Sequence, residues 1–151
     1  MTAHTHTPRM DLSRLAPDVY QAMLALDQAA SKGFDPTIAE LVRIRASQIN
    51  HCALCIHMHS NDARAAGETE ERVLLLNAWA EAGVFSEREQ AALALTEAVT
   101  VLTDGFVPDE VYERAAAHFS EEELARLISL IFTINAWNRI GVTTRQGPRR
   151  G

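Results

Sequence analysis

The stretch NHCALCIHMHSNDARAAGE, residues 50–68, holds two cysteines three positions apart and a histidine four positions beyond the second one. At about 100° per residue, Cys52, Cys55 and His59 fall within an arc of about 60° on a helix, so all three can face one cavity. Free N–H groups and the helix dipole stabilise a thiolate at the start of a helix and lower its pKa. Such a pair can be oxidised by a substrate and reset by a reductant, while the histidine relays a proton.

The same residues also permit a metal site or ordinary packing. A structural zinc site asks for four ligands, usually with a second Cys/His pair at a distance. The chain offers no such pair, so zinc would have to be held by Cys52, Cys55 and His59 with water. We therefore expect no metal and no organic cofactor, and a zinc-binding or redox-sensing module remains an alternative.

Helical signals organise the rest of the chain. Apolar residues recur at helical spacing, and cap residues separate the stretches: Asp35 precedes Pro36, and serines 86 and 120 each stand three residues before a glutamate. No alternating strand pattern of useful length appears. The sequence predicts an all-α, single-domain bundle of six to seven helices. They lie at about 12–30, 36–49, from the cysteines to 67, 69–78, and after Ser86, Pro108 and Ser120.

Composition limits the class of protein. A chain of 151 residues with 47% apolar and 23% charged residues fits one globular domain, which we place at 11–146, between disordered tails at 1–10 and 147–151. The net charge is −6 and no Lys/Arg cluster lies in the body of the chain, so nucleic acid is not an expected partner. No apolar run of roughly 18 residues and no leader-like segment occurs, so we expect a cytoplasmic protein without a membrane partner.

A longer motif surrounds the cysteine pair. Glu40 lies twelve residues before Cys52, and the whole pattern Glu-x11-Cys-x2-Cys-x3-His spans ELVRIRASQINHCALCIHMH. This pattern closely resembles the core motif of the carboxymuconolactone decarboxylase superfamily, specifically its alkylhydroperoxidase D (AhpD)-like branch. The flanking HSNDARAAGET and INAWNRIGVTTR are similar too, so the resemblance covers roughly residues 15–145.

The resemblance implies a thiol-dependent alkyl hydroperoxide reductase. By this resemblance Cys55 attacks the peroxide, Cys52 resolves the oxidised sulfur, and His59 with Glu40 relays protons through water. It also implies an external thiol or dithiol reductant and a homo-oligomer, from dimer to hexamer. The helix-dipole argument instead favours Cys52 as the attacking thiol, because Cys52 is nearer the helix start. The order of attack therefore stays open.

Helical periodicity and the family motif give different predictions for Glu40. Helical periodicity puts it opposite the apolar face formed by Ile38, Leu41 and Val42, so periodicity alone predicts a solvated carboxylate. Arg43 at i+3 is then expected to form an ordinary surface ion pair with it. Only the family spacing places Glu40 in a site.

The sequence also departs from the family in one place. Some members of the branch carry a histidine immediately before the second cysteine, where this chain has Leu54. Family decarboxylases generally lack the cysteine pair, so Cys52 and Cys55 point away from decarboxylation. A cofactor-free lyase of the decarboxylase type nevertheless remains a second alternative.

Overall fold

The computed structural model describes residues 7–148, which form an all-α domain with no strand among them. The all-α prediction is confirmed: seven helices exceed one turn, and two further helices are single turns. The helices are α1 (Leu12–Leu15), α2 (Pro17–Ser31), α3 (Pro36–Ile49), α4 (Ala53–Ala65), α5 (Glu70–Leu75), α6 (Trp79–Ala82), α7 (Glu87–Thr100), α8 (Asp109–His118) and α9 (Glu121–Thr144), with a 3-10 turn at Leu76–Ala78.

Helix ends follow the predicted caps. The Asp35 side chain accepts hydrogen bonds from the backbone N–H groups of Thr37 and Ile38, and Pro36 is the first residue of α3. Both predicted capping boxes form, at the starts of α7 and α9. The predicted first helix is interrupted at Ala16, where α1 ends and Pro17 begins α2.

The core lies around α3 and α9. Helix α9 packs against α2, α3, α4 and α7, and α3 lies between α4, α7 and α9. Helix α3 is therefore covered on most of its circumference rather than on one face. Its buried residues are Ile38, Ala39, Leu41, Val42, Ile44, Ala46 and Ser47.

The two ends of the described chain meet. The Arg9 N–H donates to the carbonyl of Thr144 at 2.8 Å, and the Gln146 side-chain amide donates to the carbonyl of Met10 at 2.8 Å. Arg9 and Met10, which the sequence predicts to lie in the N-terminal tail, are hydrogen-bonded to Thr144 at the end of α9 and to Gln146 just beyond it. The predicted tail residues 1–6 and 149–151 lie outside the described residues.

Across residues 7–148, no helix combines the length and the apolar character needed to cross a bilayer.

Candidate active site

The two cysteines stand at the entrance of α4. A tight turn at Asn50 and His51 leaves α3, and His51 adopts a left-handed backbone with φ of 54°. The Cys52 N–H donates to the carbonyl of Ser47 at 3.0 Å, and Cys52 is the N-cap residue of α4. The turn therefore sets where Cys52 lies, and Cys55 follows on the first turn of α4.

The sulfurs of Cys52 and Cys55 form a disulfide, with the Cα atoms 5.3 Å apart. Both side chains are buried, since Cys52 is 1% exposed and Cys55 is 5% exposed. The predicted convergence of the pair is thus present in the structure. A reduced Cys52 would have the unpaired N–H groups of the first turn of α4 beside it, which is the environment that stabilises a thiolate.

His59 lies one helical turn beyond Cys55 on α4 and is also buried. Its Nδ1 atom is 2.9 Å from Oε2 of Glu40, across the packed faces of α3 and α4. The structure thus brings together two residues that only the family spacing had joined. The prediction from periodicity that Glu40 is solvated is wrong, because α4 covers the face of α3 that carries it.

A second partner holds Glu40 from the other side. Nη1 of Arg43 donates to Oε1 of Glu40 at 2.8 Å, while Nη2 faces Oδ1 of Asp27 on α2 at 3.5 Å. The Glu40 and Arg43 side chains are only 17% and 11% exposed, so the expected surface ion pair is in fact largely buried. Each oxygen of the Glu40 carboxylate therefore has its own partner.

The environment of Glu40 favours its ionised form. Burial, the largest single influence, raises the pKa of the Glu40 carboxyl. The hydrogen bond and charge of His59, followed by those of Arg43, act in the opposite direction and outweigh burial. The pKa of Glu40 therefore lies below its ordinary value, and the carboxylate can accept a hydrogen bond from an N–H at Nδ1 of His59.

A small cavity of about 180 Å³ also borders Glu40. Its wall combines the first turn of α3 with the end of α4, and it includes Thr37, Ala63 and Arg72. The volume would hold several water molecules, since each occupies about 30 Å³ in the liquid. Glu40 therefore lies between His59 and a space that solvent can fill.

Three side chains near the cysteines, none of them a cysteine, lie close enough together to be considered as metal ligands. Single ligand atoms of Glu40, His59 and Asp62 lie within 4.8 Å of one another. Asp62 is exposed, and Glu40 and His59 already bond to each other, so a cation would have to replace that hydrogen bond. The zinc set named from the sequence, Cys52, Cys55 and His59, is not assembled as free ligands, because the two sulfurs are joined.

Sequence reasoning missed a buried amide network beneath the cysteine turn. The Asn50 side-chain amide donates to the side-chain oxygens of Asn135 and Asn138, at 2.9 and 3.0 Å. Asn138 in turn donates to Oγ of Ser47 at 2.9 Å, and Asn135 donates to Oγ1 of Thr100 at 3.0 Å. A signal was available, because two asparagines interrupt the apolar run LISLIFTINAWNRIGV, and a buried amide needs partners.

The network ties the turn before Cys52 to α9. Its bonds between α9 and the end of α3 span 85 to 91 residues of sequence. No buried side-chain nitrogen or oxygen among the described residues lacks a partner. A fully satisfied buried network fixes a unique arrangement of the elements that it joins. We conclude that α9 contributes to the position of the cysteine pair, although it supplies no predicted catalytic residue.

Known proteins are similar to this chain in sequence. The model of the Carboxymuconolactone decarboxylase family matches residues 17–98, more than half of the chain. The uncharacterized protein YdfG of Bacillus subtilis strain 168 is 41% identical over 135 residues, which are 89% of this chain and 92% of YdfG. The uncharacterized YnjA of Escherichia coli K12 is 32% identical over 97 residues, 64% of this chain and 53% of YnjA.

Solved structures agree. A crystal structure of a protein of unknown function from Agrobacterium tumefaciens, described as a candidate antioxidant defence protein AhpD, has a TM-score of 0.93 at 34% identity, covering 96% of this chain and 100% of its own. An uncharacterized peroxidase-related protein of Ralstonia eutropha JMP134, described as an alkylhydroperoxidase AhpD core, has a TM-score of 0.79 at 19% identity, covering 91% and 74%. This second likeness concerns the fold alone. Taken with the cysteine pair and its helical frame, these matches show that the chain belongs to the carboxymuconolactone decarboxylase family and has the AhpD-like fold.

Proposed function

We propose that this protein is a thiol-dependent hydroperoxide reductase. The observation that carries the proposal is a cysteine pair close enough to form a disulfide, one helical turn from a buried His59 that is bonded to Glu40. A pair of this kind can alternate between dithiol and disulfide without a cofactor. The Agrobacterium tumefaciens protein that is 34% identical to this chain is described as a candidate antioxidant defence protein, which is consistent with this chemistry.

Oxidation of one cysteine is the first step. With Nδ1 of His59 bonded to the Glu40 carboxylate, the other ring nitrogen can accept the proton of the Cys55 thiol. The thiolate attacks the outer oxygen of ROOH, the O–O bond breaks, and the sulfur becomes a sulfenic acid. The departing RO⁻ takes the proton from His59 and leaves as an alcohol, or as water when the substrate is hydrogen peroxide.

Disulfide formation and reduction complete the cycle. The Cys52 sulfur attacks the sulfenic sulfur of Cys55, which forms the S–S bond and releases water. An external dithiol then reduces the disulfide and is itself oxidised to a disulfide, so one peroxide consumes two thiols. We assign the first attack to Cys55 because it is the more exposed of the two cysteines and lies nearer His59 in the helix.

The alternatives from the sequence lead to different expectations. A lyase of the decarboxylase type would be indifferent to replacement of both cysteines. A redox-sensing or zinc-binding module would oxidise, or bind metal, without turning over peroxide. Neither alternative requires Glu40 and His59 to be bonded together beside the cysteine pair.

The test is peroxide consumption by reduced, metal-free protein with excess dithiol. Wild type is compared with Cys52→Ser, Cys55→Ser and Glu40→Gln, and with Glu87→Gln as a control, because Glu87 is an exposed carboxylate paired with Arg114. The proposal expects loss of turnover in both cysteine variants and a trapped sulfenic acid in Cys52→Ser alone. Equally slow consumption by wild type and all variants would overturn it.

The partners remain proposals as well. We propose a homo-oligomer between dimer and hexamer, consistent with apolar side chains such as Leu15, Val19 and Phe132 that a single chain leaves exposed. Sedimentation equilibrium of the reduced and oxidised forms measures the number of subunits. A monomer at assay concentration would contradict this proposal without affecting the peroxidase assay.

A further inference from the structure

Gly141 lies inside α9, three residues before the helix ends at Thr144. Glycine is less favourable than alanine in a helix interior, because it loses more backbone freedom on folding. Helix propensity alone therefore does not favour glycine at this position. Its own φ is not positive, so a special backbone conformation does not favour glycine there either.

Because Gly141 has no side chain, it leaves space for the sulfur atoms of Cys52 and Cys55. A Cβ atom at Gly141 would lie 3.0 Å from Sγ of Cys52 and 3.7 Å from Sγ of Cys55. The first distance is tighter than ordinary contacts between heavy atoms, and the second is a normal van der Waals contact. At the other glycines of the described chain, a Cβ would meet nothing within 4 Å.

Hydrogen bonds hold both the backbone at Cys52 and helix α9, so neither can easily move away from this contact. Cys52 is held by its N–H bond to the carbonyl of Ser47, and α9 is held by the bonds that join Asn138 to Ser47 and to Asn50. A side chain at position 141 would therefore displace the Cys52 sulfur more readily than either backbone.

We propose that Gly141 is a positioning residue that keeps room for the Cys52 sulfur to reach Cys55. This inference rests on the proposed function, because it assigns a role in disulfide formation. The step concerned is the attack of Cys52 on the sulfenic acid of Cys55, which releases water and forms the S–S bond. The preceding attack on peroxide is unaffected, because the sulfur of Cys55 keeps a normal distance from position 141.

The experiment compares Gly141→Ala with wild type in two measurements. In a glutathione redox buffer, the ratio of disulfide to dithiol is measured by thiol trapping and mass spectrometry. We expect about a tenfold shift towards the dithiol, because displaced sulfurs make a more reducible disulfide. After one equivalent of peroxide, a sulfenic acid trap should label Gly141→Ala and leave wild type largely unlabelled.

Two controls separate this role from a general effect on the helix. Thr143→Ala also changes a residue near the end of α9, but its side chain is exposed, and it should keep the wild-type ratio. In a Cys52→Ala background, where the displaced sulfur is absent, Gly141→Ala should no longer lower the stability measured by urea unfolding. This second readout is obtained even if Gly141→Ala folds poorly in the wild-type background.

A redox ratio within twofold of wild type, or an unfolding penalty that persists in the Cys52→Ala background, would overturn the role of Gly141. The redox ratio is measured without peroxide, so it stays informative if the peroxidase proposal fails. If the disulfide-to-dithiol ratio shifts in Gly141→Ala but wild type does not turn over peroxide, Gly141 still positions the cysteine pair. The oxidant of that pair is then not a peroxide.

Discussion

Nδ1 of His59 lies 2.9 Å from Oε2 of Glu40. Because the ionised carboxylate can only accept a hydrogen bond, Nδ1 must carry the ring proton that it donates to Glu40, and in the neutral imidazole the other ring nitrogen then carries the lone pair. Glu40 thereby fixes both the orientation of the imidazole and the nitrogen that can act as a base. We infer that Glu40 acts through His59 and need not touch the peroxide.

Replacement of Glu40 by glutamine should slow peroxide reduction by about 10- to 100-fold, since a neutral amide stabilises the imidazolium that forms when His59 takes a proton less well than a carboxylate does. The substitution keeps the shape of the side chain and removes its charge. Steady-state kcat/KM with a dithiol in excess measures the effect, and Glu87→Gln is the matched control. Unchanged kcat/KM in Glu40→Gln would exclude the relay.

The lowered pKa of Glu40 predicts a pH dependence of stability. A carboxyl whose pKa is lower in the folded than in the unfolded protein stabilises the fold above its unfolded pKa, and this contribution is lost as pH falls through the folded pKa. The difference in the free energy of unfolding between wild type and Glu40→Gln should thus shrink as the pH falls below about 5. Urea unfolding at several pH values measures the difference, and a gap that widens as the pH falls below about 5 would contradict the prediction.

Arg43 should matter for stability as well as for activity. Arg43→Met removes the cation that joins Glu40 to Asp27 and leaves a largely buried carboxylate with His59 as its remaining partner. We expect a loss of roughly 3 kcal/mol in the free energy of unfolding, as when one partner of a buried pair is removed. Arg114→Met, at an exposed pair, should cost less than about 1 kcal/mol. Equal losses of stability in Arg43→Met and Arg114→Met would show that the buried pair at Glu40 stabilises the fold no more than an exposed pair does.

The amide network predicts coupling between α3 and α9. Asn138→Ala leaves the Asn50 amide and the Ser47 hydroxyl each with one partner fewer, at a site that is 1% exposed. We expect a loss of about 2–3 kcal/mol, and a coupling of about 1 kcal/mol with Ser47→Ala in a double-mutant cycle. Strict additivity of the two substitutions would mean that the bond between them contributes nothing.

Local rules were enough to predict much of the fold. The caps at Asp35, Ser86 and Ser120 formed as expected, because each is a short-range contact between a side chain and nearby backbone N–H groups. Periodicity failed for α3, because it identifies one apolar face and this helix is covered on several. Glu40 was placed in the site only by its spacing from Cys52, which carries tertiary information that helical periodicity lacks.

The part of the site that sequence reasoning missed comes from α9. Asn135 and Asn138 were visible as polar residues in an apolar run, but their partners Asn50 and Ser47 lie far away in the chain. Gly141 gives even less signal, since a helical glycine near a helix end is unremarkable until the neighbouring sulfurs are located. Such long-range contacts depend on how α3, α4 and α9 pack together.

Asn135, Asn138 and Gly141 are spaced three residues apart on one rigid helix, and each faces the cysteine turn or its support. Deleting one residue between Ile131 and Asn135 would turn all three by about 100° and shift them by about 1.5 Å relative to the core residues before them. A single substitution in this segment alters the contacts of one side chain, whereas a change of register removes the amide anchors and the space for sulfur together. The number of residues between Ile131 and Gly141 is therefore as important for positioning the cysteine turn as the identities of Asn135, Asn138 and Gly141.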